Sequence, residues 1–398
     1  MPCRCDKYGK REVKRLKKVL TGNYAAAYAV KAAKPDVISA YPITPQTPII
    51  EKLSEFVDSG ELDARFVRVE SEHSAMAAVI GASAVGARTY TATSSQGLFY
   101  MYEVCWWAAG ARLPIVMGLV TRALGPPWSI WSEHTDFYAM RDSGWVMFFA
   151  SSAQEVYDLT LQAYRVAENS DVLLPAMVGW DAFEVSHTFE PVDLLDENVV
   201  KDYLPPKGGR TNILDYEEPA SLGNLAYPDD YIKIRHELYV ASKNAHRAIR
   251  ESGELFTKIS NRDYSKPFEC YRCEDAKFFY VLMGSIAGEA FEAVDYLRSK
   301  GVDIGLVRVR VYRPFPYKEL AQVIGDAKGV VVVNRASRFG GFAPLTEDVY
   351  ATLRDCGAEV RVFEVVAGVG GVDVIKEDFV GMFREFEKRK KGSIWWVR

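Results

Sequence analysis

RTYTATSSQGLFYMYEVCWWAAGARLPIVMGLVTR, residues 88–122, reads as strand, helix, strand. RTYTATSS is rich in β-branched residues. SQGLFYMYEVCWWAAG places its apolar residues at helical spacing, and LPIVMGLVTR is a continuous apolar run that ends on an arginine. Two apolar strands joined by a helix form a βαβ unit, which requires a parallel sheet. The same rhythm extends upstream. TGNYAAAYAVKAA is a helix opened by Thr21 or Asn23, DVISAYPIT a short strand running into a loop, and PQTPIIEKLSEFVDSG a helix with Pro45 and Pro48 near its start. ARFVRVE is a strand, and SEHSAMAAVIGASAVGA a helix with a small-residue face. Residues 20–190 are therefore expected to form a doubly wound α/β domain.

Downstream the alternation lapses. Residues 191–275 are polar and rich in Pro and Gly, and then show helical spacing over DDYIKIRHELYVASKNAHRAIRESGELFTKI. They are expected to form a linker and a bridging helix. Residues 276–390 restart the pattern as a second, smaller α/β domain. KFFYVLMGS, VDIGLVRVRVY, GVVVVNRA and AEVRVFEVV are its strands, separated by helical segments.

A chain of 398 residues with 48% hydrophobic content has room for two packed domains. Its net charge of −4 gives no general electrostatic reason to bind nucleic acid. No stretch is long and apolar enough to span a bilayer, so a cytoplasmic protein without membrane attachment is expected. The basic arm at residues 1–19 lacks the apolar core of a secretory signal and suits either a solvated helix or contact with an acidic partner. The close pairs Cys3/Cys5 and Cys270/Cys273 are read as ordinary thiols, because a lone CxxC is weak evidence for a metal. No run of cysteines suits an iron–sulfur cluster, so an electron carrier is expected on another chain.

Three segments have residues suited to chemistry. In open α/β sheets, ligands bind beyond the carboxyl ends of strands. The loop AYPITPQTP (40–48) lies at such an end. Prolines flank Thr44 and restrict it, so its hydroxyl is either a fixed ligand contact or part of a rigid turn. In ESEHSA (70–75), Glu70, Glu72 and His73 fall in the first turn of a helix, where attraction to the helix dipole already explains an acidic side chain. Arg122 ends the apolar strand LPIVMGLVTR, where a guanidinium can fork onto a carboxylate, and this favours a ligand role. The loop after it carries Trp128 and Trp131, expected as a pocket wall, then Glu133, His134 and Asp136. GxGxxG after a strand, a P-loop, GxSxG and HExxH are all absent.

Taken together these segments resemble the alpha subunits of the 2-oxoacid:ferredoxin oxidoreductases, most closely the pyruvate enzymes. The similarity rests on AYPITPQTP, on ESEHSAMAAVIGASAVGARTYTATSSQG (70–97), on LVTRAL (119–124) with IWSEHTD (130–136), on RDSGW (141–145), and on YRPFP (312–316) and GVGGVDV (368–374). It implies a pyrimidine-type domain binding thiamine diphosphate, followed by a transketolase C-terminal-like domain. Glu72 matches the family glutamate that bonds N1′ of the cofactor's aminopyrimidine, which reverses the plain helix-dipole reading. Thr44 and Arg122 match the residues that hold the 2-oxoacid. The diphosphate and its Mg²⁺ need a GDG…N motif, whereas this chain has only Gly325-Asp326-Ala327. The resemblance therefore implies a beta subunit that shares the cofactor. It also implies gamma and delta-type chains or domains with 4Fe–4S clusters, and coenzyme A and ferredoxin as co-substrates.

The expected reaction is oxidative decarboxylation of pyruvate with coenzyme A, or its reverse. The same chemistry on 2-oxoisovalerate or oxalate is the nearest alternative, and a non-catalytic transketolase-like scaffold is the alternative of another class.

Overall fold

The computed structural model describes residues 15–206, 212–389 and 395–397. Cys3, Cys5 and most of the basic arm lie outside them. A seven-stranded sheet runs in the order Val311–Arg313, Val146–Ala150, Ala176–Asp181, Val116–Thr121, Thr89–Thr93, Val37–Ser39, Arg65–Val67. All its pairings are parallel except the first. A six-stranded sheet runs Trp395–Trp396, Arg361–Val366, Gly329–Asn334, Phe278–Leu282, Ile304–Val309, Phe268–Tyr271, with only the last pair antiparallel. The fold is thus α/β with two largely parallel sheets.

Alternation along the strands assigns their faces. In the first sheet Val116, Val120, Ala176, Val178 and Trp180 face the helices Gly22–Ala33 and Ala153–Ala167. The intervening Met117, Leu119, Met177 and Phe149 face the other way, into a core that also holds Phe279, Val281, Val307 and Val330 of the second sheet. The opposite face of the second sheet, Tyr280, Leu282, Leu306 and Val331, packs on the helices Ala287–Ser299 and Lys376–Lys388. A period of two on apolar strands therefore builds one shared layer between the sheets.

Several local expectations change. Thr21, not Asn23, caps the first helix, accepting from the backbone N–H of Tyr24. Asn23 is instead buried and bridges the Trp180 indole N–H to the carbonyl of Pro45. Arg15–Leu20, read as part of an arm, is a strand paired antiparallel with Glu190–Leu195, and Glu197–Tyr203 is helical. VDIGLVRVRVY is two strands in two sheets. The chain breaks at Arg310, where the N–H groups of Arg310 and Val311 both donate to the carbonyl of Pro267. Arg308 and Arg310 converge there on the buried Glu155. The bridging helix is Pro228–Ser260, and its inward face of Leu238, Ala241, Ala245, Ala248 and Ile249 joins the core of the first sheet. Gly253 on this helix lets the Tyr264 carbonyl approach to 1.9 Å of where a Cβ would stand.

Cys270 and Cys273 are free thiols on and just after the edge strand Phe268–Tyr271, packed against the shared core. Among the described residues no group of three or more His, Cys, Asp and Glu side chains suits a metal ion, and no helix is long and apolar enough to cross a membrane.

Candidate active site

Strands Val116–Thr121, Thr89–Thr93 and Val37–Ser39 are adjacent and parallel. Their carboxyl ends therefore open into neighbouring loops at one edge of the sheet. Those loops carry Arg122, the turn from Ser94 to Gly97, and Thr44. Glu72 enters from the helix that follows the next strand over, Arg65–Val67.

The loop holding Thr44 is fixed by polar residues that face inward. Gln46 donates from Nε2 to the carbonyl of Ala92 at 2.9 Å, and its Oε1 accepts from the N–H of Ile43. Asn23 donates to the carbonyl of Pro45 at 2.7 Å. Thr44 itself is exposed, and its hydroxyl has no partner among the described residues. Arg122 is buried and meets this loop through its backbone, since Nη1 donates to the carbonyl of Thr44. Its Nη2 donates to Oε1 of Gln96 at 2.8 Å, while Nε is buried without a partner.

Glu72 is the first residue of its helix, whose cap is Ser71, and its carboxyl is buried. Burial raises its pKa above the ordinary value. Gly97 lies directly against it. A Cβ at residue 97 would stand 2.6 Å from Glu72 Oε1 and 2.5 Å from Thr93 Oγ1. The other acidic candidate diverges, because Glu70 is held by the Ser71 and Ser74 hydroxyls on the helix cap and its pKa is lowered by them. His73 packs on Tyr100 instead of joining the arginine.

The segment after Arg122 provides the support. Asp136 is fully buried. Its Oδ2 accepts from the N–H of Ser95 at 2.9 Å and of Arg122 at 3.1 Å, and its Oδ1 from Phe137 at 2.7 Å. Burial pushes this carboxyl up to about 8, against the pull of those N–H groups. The His134 ring bonds Asp181 through Nε2 at 2.7 Å, and the backbone N–H of His134 donates to the carbonyl of Arg335. Asp181 also takes Arg335 and the hydroxyls of Ser132 and Ser285, which ties the site to the second sheet from behind. Burial opposes the charge on Asp181, but His134 and Arg335 outweigh it and hold the carboxyl far below the usual range. Glu133 only accepts from Thr135. Trp128 and Trp131, expected to wall a pocket, are 68% and 52% exposed on this chain.

Thr44 and Arg122 thus lie on loops that touch one another, and Glu72, at the start of its helix, meets the same site through Gly97. Gln46, Asn23 and Gln96 complete the framework with Asp136, and the parts played by the first three were not anticipated. For Asn23 alone there was a local signal, a polar side chain at the head of the small and apolar run GNYAAAYAV. The carboxyl of Glu72 has only its own backbone N–H as a hydrogen-bond donor, and Thr93 Oγ1, which meets it at Gly97, is buried and unpartnered. An aminopyrimidine, which presents ring nitrogens and an amino group, fits that donor and acceptor set.

Residues 28–253 match the family model described as pyruvate flavodoxin/ferredoxin oxidoreductase, thiamine diphosphate-binding. Residues 276–379 match the pyruvate:ferredoxin oxidoreductase core domain II. Fold and family match together define an α/β subunit with a thiamine-diphosphate-binding domain. The chain is 46% identical over 377 residues to the ketoisovalerate oxidoreductase subunit VorA of Pyrococcus abyssi, covering 95% of each chain. It is 45% identical over 359 residues to the pyruvate synthase subunit PorA of the same organism, covering 90% of this chain and 91% of the relative. The chain belongs to the 2-oxoacid:ferredoxin oxidoreductase family, as an alpha subunit.

Among solved structures, the 2-oxoglutarate:ferredoxin oxidoreductase from Magnetococcus marinus superposes with a TM-score of 0.73 at 17% identity, over 93% of this chain and 65% of that one. A split-gene transketolase superposes at 0.56 and 14% identity, over 92% and 98%. Both show the likeness of fold.

Proposed function

We propose that this subunit binds the 2-oxoacid and the pyrimidine half of thiamine diphosphate in an enzyme that oxidatively decarboxylates pyruvate with coenzyme A, or runs the reverse reaction, exchanging electrons with ferredoxin. The observation that carries this reading is the contact of Arg122 with Thr44 and Gln96 on one side of Gly97, with the buried Glu72 on the other. Thiamine diphosphate supplies the carbon nucleophile that lets a 2-oxoacid lose CO₂. Glu72 holds the aminopyrimidine at its N1′ ring nitrogen, and burial favours the protonated carboxyl that can share a proton there. Arg122 is buried and offers its charge to the substrate carboxylate, where reduced solvation of the guanidinium strengthens such a pair. The Thr44 hydroxyl adds a donor to the same substrate.

A beta subunit holds the diphosphate and Mg²⁺ in this reading. Gamma and delta-type chains or domains carry the 4Fe–4S clusters, and the complex works in the cytoplasm. The near-equal identity to a ketoisovalerate and a pyruvate subunit favours 2-oxoisovalerate as the second substrate reading. Ferredoxin reduction by the assembled complex with pyruvate, 2-oxoisovalerate, 2-oxoglutarate and oxalate tests this. Pyruvate is expected to give the highest kcat/KM, and no turnover of pyruvate overturns the substrate assignment.

A further inference from the structure

Gln96 stands at the junction of the three loops, and its orientation is fixed by chemistry. The guanidinium of Arg122 is only a donor, so the amide oxygen must face it, and Oε1 does so at 2.8 Å. The Ser95 hydroxyl lies 2.7 Å from the same oxygen. This leaves the amide nitrogen turned away from the arginine. It is buried, and no hydrogen-bond acceptor among the described residues reaches it. A buried amide donor without a partner is rare in folded proteins, and at a ligand site it marks where a ligand oxygen belongs. The Nε of Arg122, the other member of this bonded pair, is buried and unpaired as well.

The backbone holds Gln96 in this position at some cost. Ser95 has φ +48°, a left-handed conformation that non-glycine residues seldom adopt. It is kept there by its N–H on Asp136 and its hydroxyl on the carbonyl of Ala123. The Asp136 oxygen that pins Ser95 also pins the backbone of Arg122, so one carboxyl sets both members of the pair.

We propose that Gln96 is a third substrate-contacting residue, donating a hydrogen bond from Nε2 to an oxygen of the 2-oxoacid while its Oε1 orients Arg122. This rests on the functional reading above. Two variants of similar size separate contact from orientation. Gln96→Glu keeps an acceptor for Arg122 and removes the donor, whereas Gln96→Met removes both. In the assembled complex, each is expected to raise KM for the 2-oxoacid about tenfold or more, as a lost hydrogen bond at a polar site does. Half-saturation by thiamine diphosphate is expected to stay within about twofold of wild type for both. Wild-type KM in both variants overturns the proposal. So does a wild-type KM in Gln96→Glu with a raised one in Gln96→Met, since that pattern assigns Gln96 to orientation alone. Failure of both variants to assemble also counts against it, because contact with substrate is not needed for folding. A wild-type complex that turns over no 2-oxoacid is a different result and defeats the functional reading itself.

Discussion

At Gly97 there is no room for a methyl group. Its Cβ position lies between Glu72 Oε1 and Thr93 Oγ1, both closer than any ordinary contact. Gly97→Ala must therefore displace the Glu72 carboxyl by several tenths of an ångström or more. Turnover is expected to fall at least about tenfold while the complex still assembles, because small misplacements at reacting groups are costly. Steady-state kinetics with gel filtration checks this, and unchanged turnover would show that Glu72 is not positioned for chemistry. Arg122→Ala removes the charged donor, and KM for the 2-oxoacid is expected to rise about ten- to hundredfold with cofactor binding retained. The places of Thr44 and Arg122 were legible in the sequence because each follows an apolar strand. The supports were not. Gln46 reaches Ala92, 46 residues away, and Asp136 reaches Ser95 across 41, and no local spacing encodes such pairings. Nor could the helix-dipole argument tell Glu72 from Glu70. The family resemblance singled out Glu72, but the physical difference lies in three dimensions, where one packs on Gly97 and the other turns back to the cap.

Among the elements, the run Ile304–Arg313 shows where periodicity misleads. VDIGLVRVRVY looks like one continuous strand, since Val and other apolar residues recur through it and nothing in it marks a turn near Arg310. Its break at Arg310 depends on Pro267 and Glu155, which are distant in sequence. The break sends Val311–Arg313 into the first sheet and so joins the two halves of the chain. Glu155 sits at that junction, buried, with Arg308 and Arg310 as partners. Burial alone would raise its pKa, but the two arginines outweigh this and hold it well below the ordinary carboxylate range. Because the folded pKa is depressed, the stabilisation is fully present above the unfolded pKa of about 4.3 and is lost as pH falls toward the folded value. Glu155→Gln leaves two buried guanidinium groups short of a counter-charge and is expected to cost about 3–5 kcal/mol at neutral pH. Urea midpoints between pH 5 and pH 3 should fall more steeply for wild type than for the variant, and parallel slopes would exclude this role for Glu155.

For the molecule as a whole, the shared apolar layer makes the two sheets interdependent. Met117 and Phe149 of one lie in the same cluster as Phe279 and Val307 of the other. Far- and near-ultraviolet circular dichroism are therefore expected to report coincident melting, and separate transitions would show that the halves fold independently. The division into two α/β units was legible from the rhythm of strands and helices. The intimacy of their contact was not, because it depends on which alternate residues of each strand face inward together. That packing sets the loop behind Arg122, through His134 and Asp181, against Arg335 of the second half. Arg122 is thus held from both halves, while Glu72 has no such tie and carries the claim that this chain is catalytic. The most direct measurement is 2-oxoacid-dependent ferredoxin reduction by the assembled complex carrying Glu72→Gln. Turnover is expected to drop about 10²- to 10⁴-fold with the assembly intact, the range for loss of a positioned acid or base. Wild-type turnover by the Glu72→Gln complex would contradict the account and leave the chain as a scaffold.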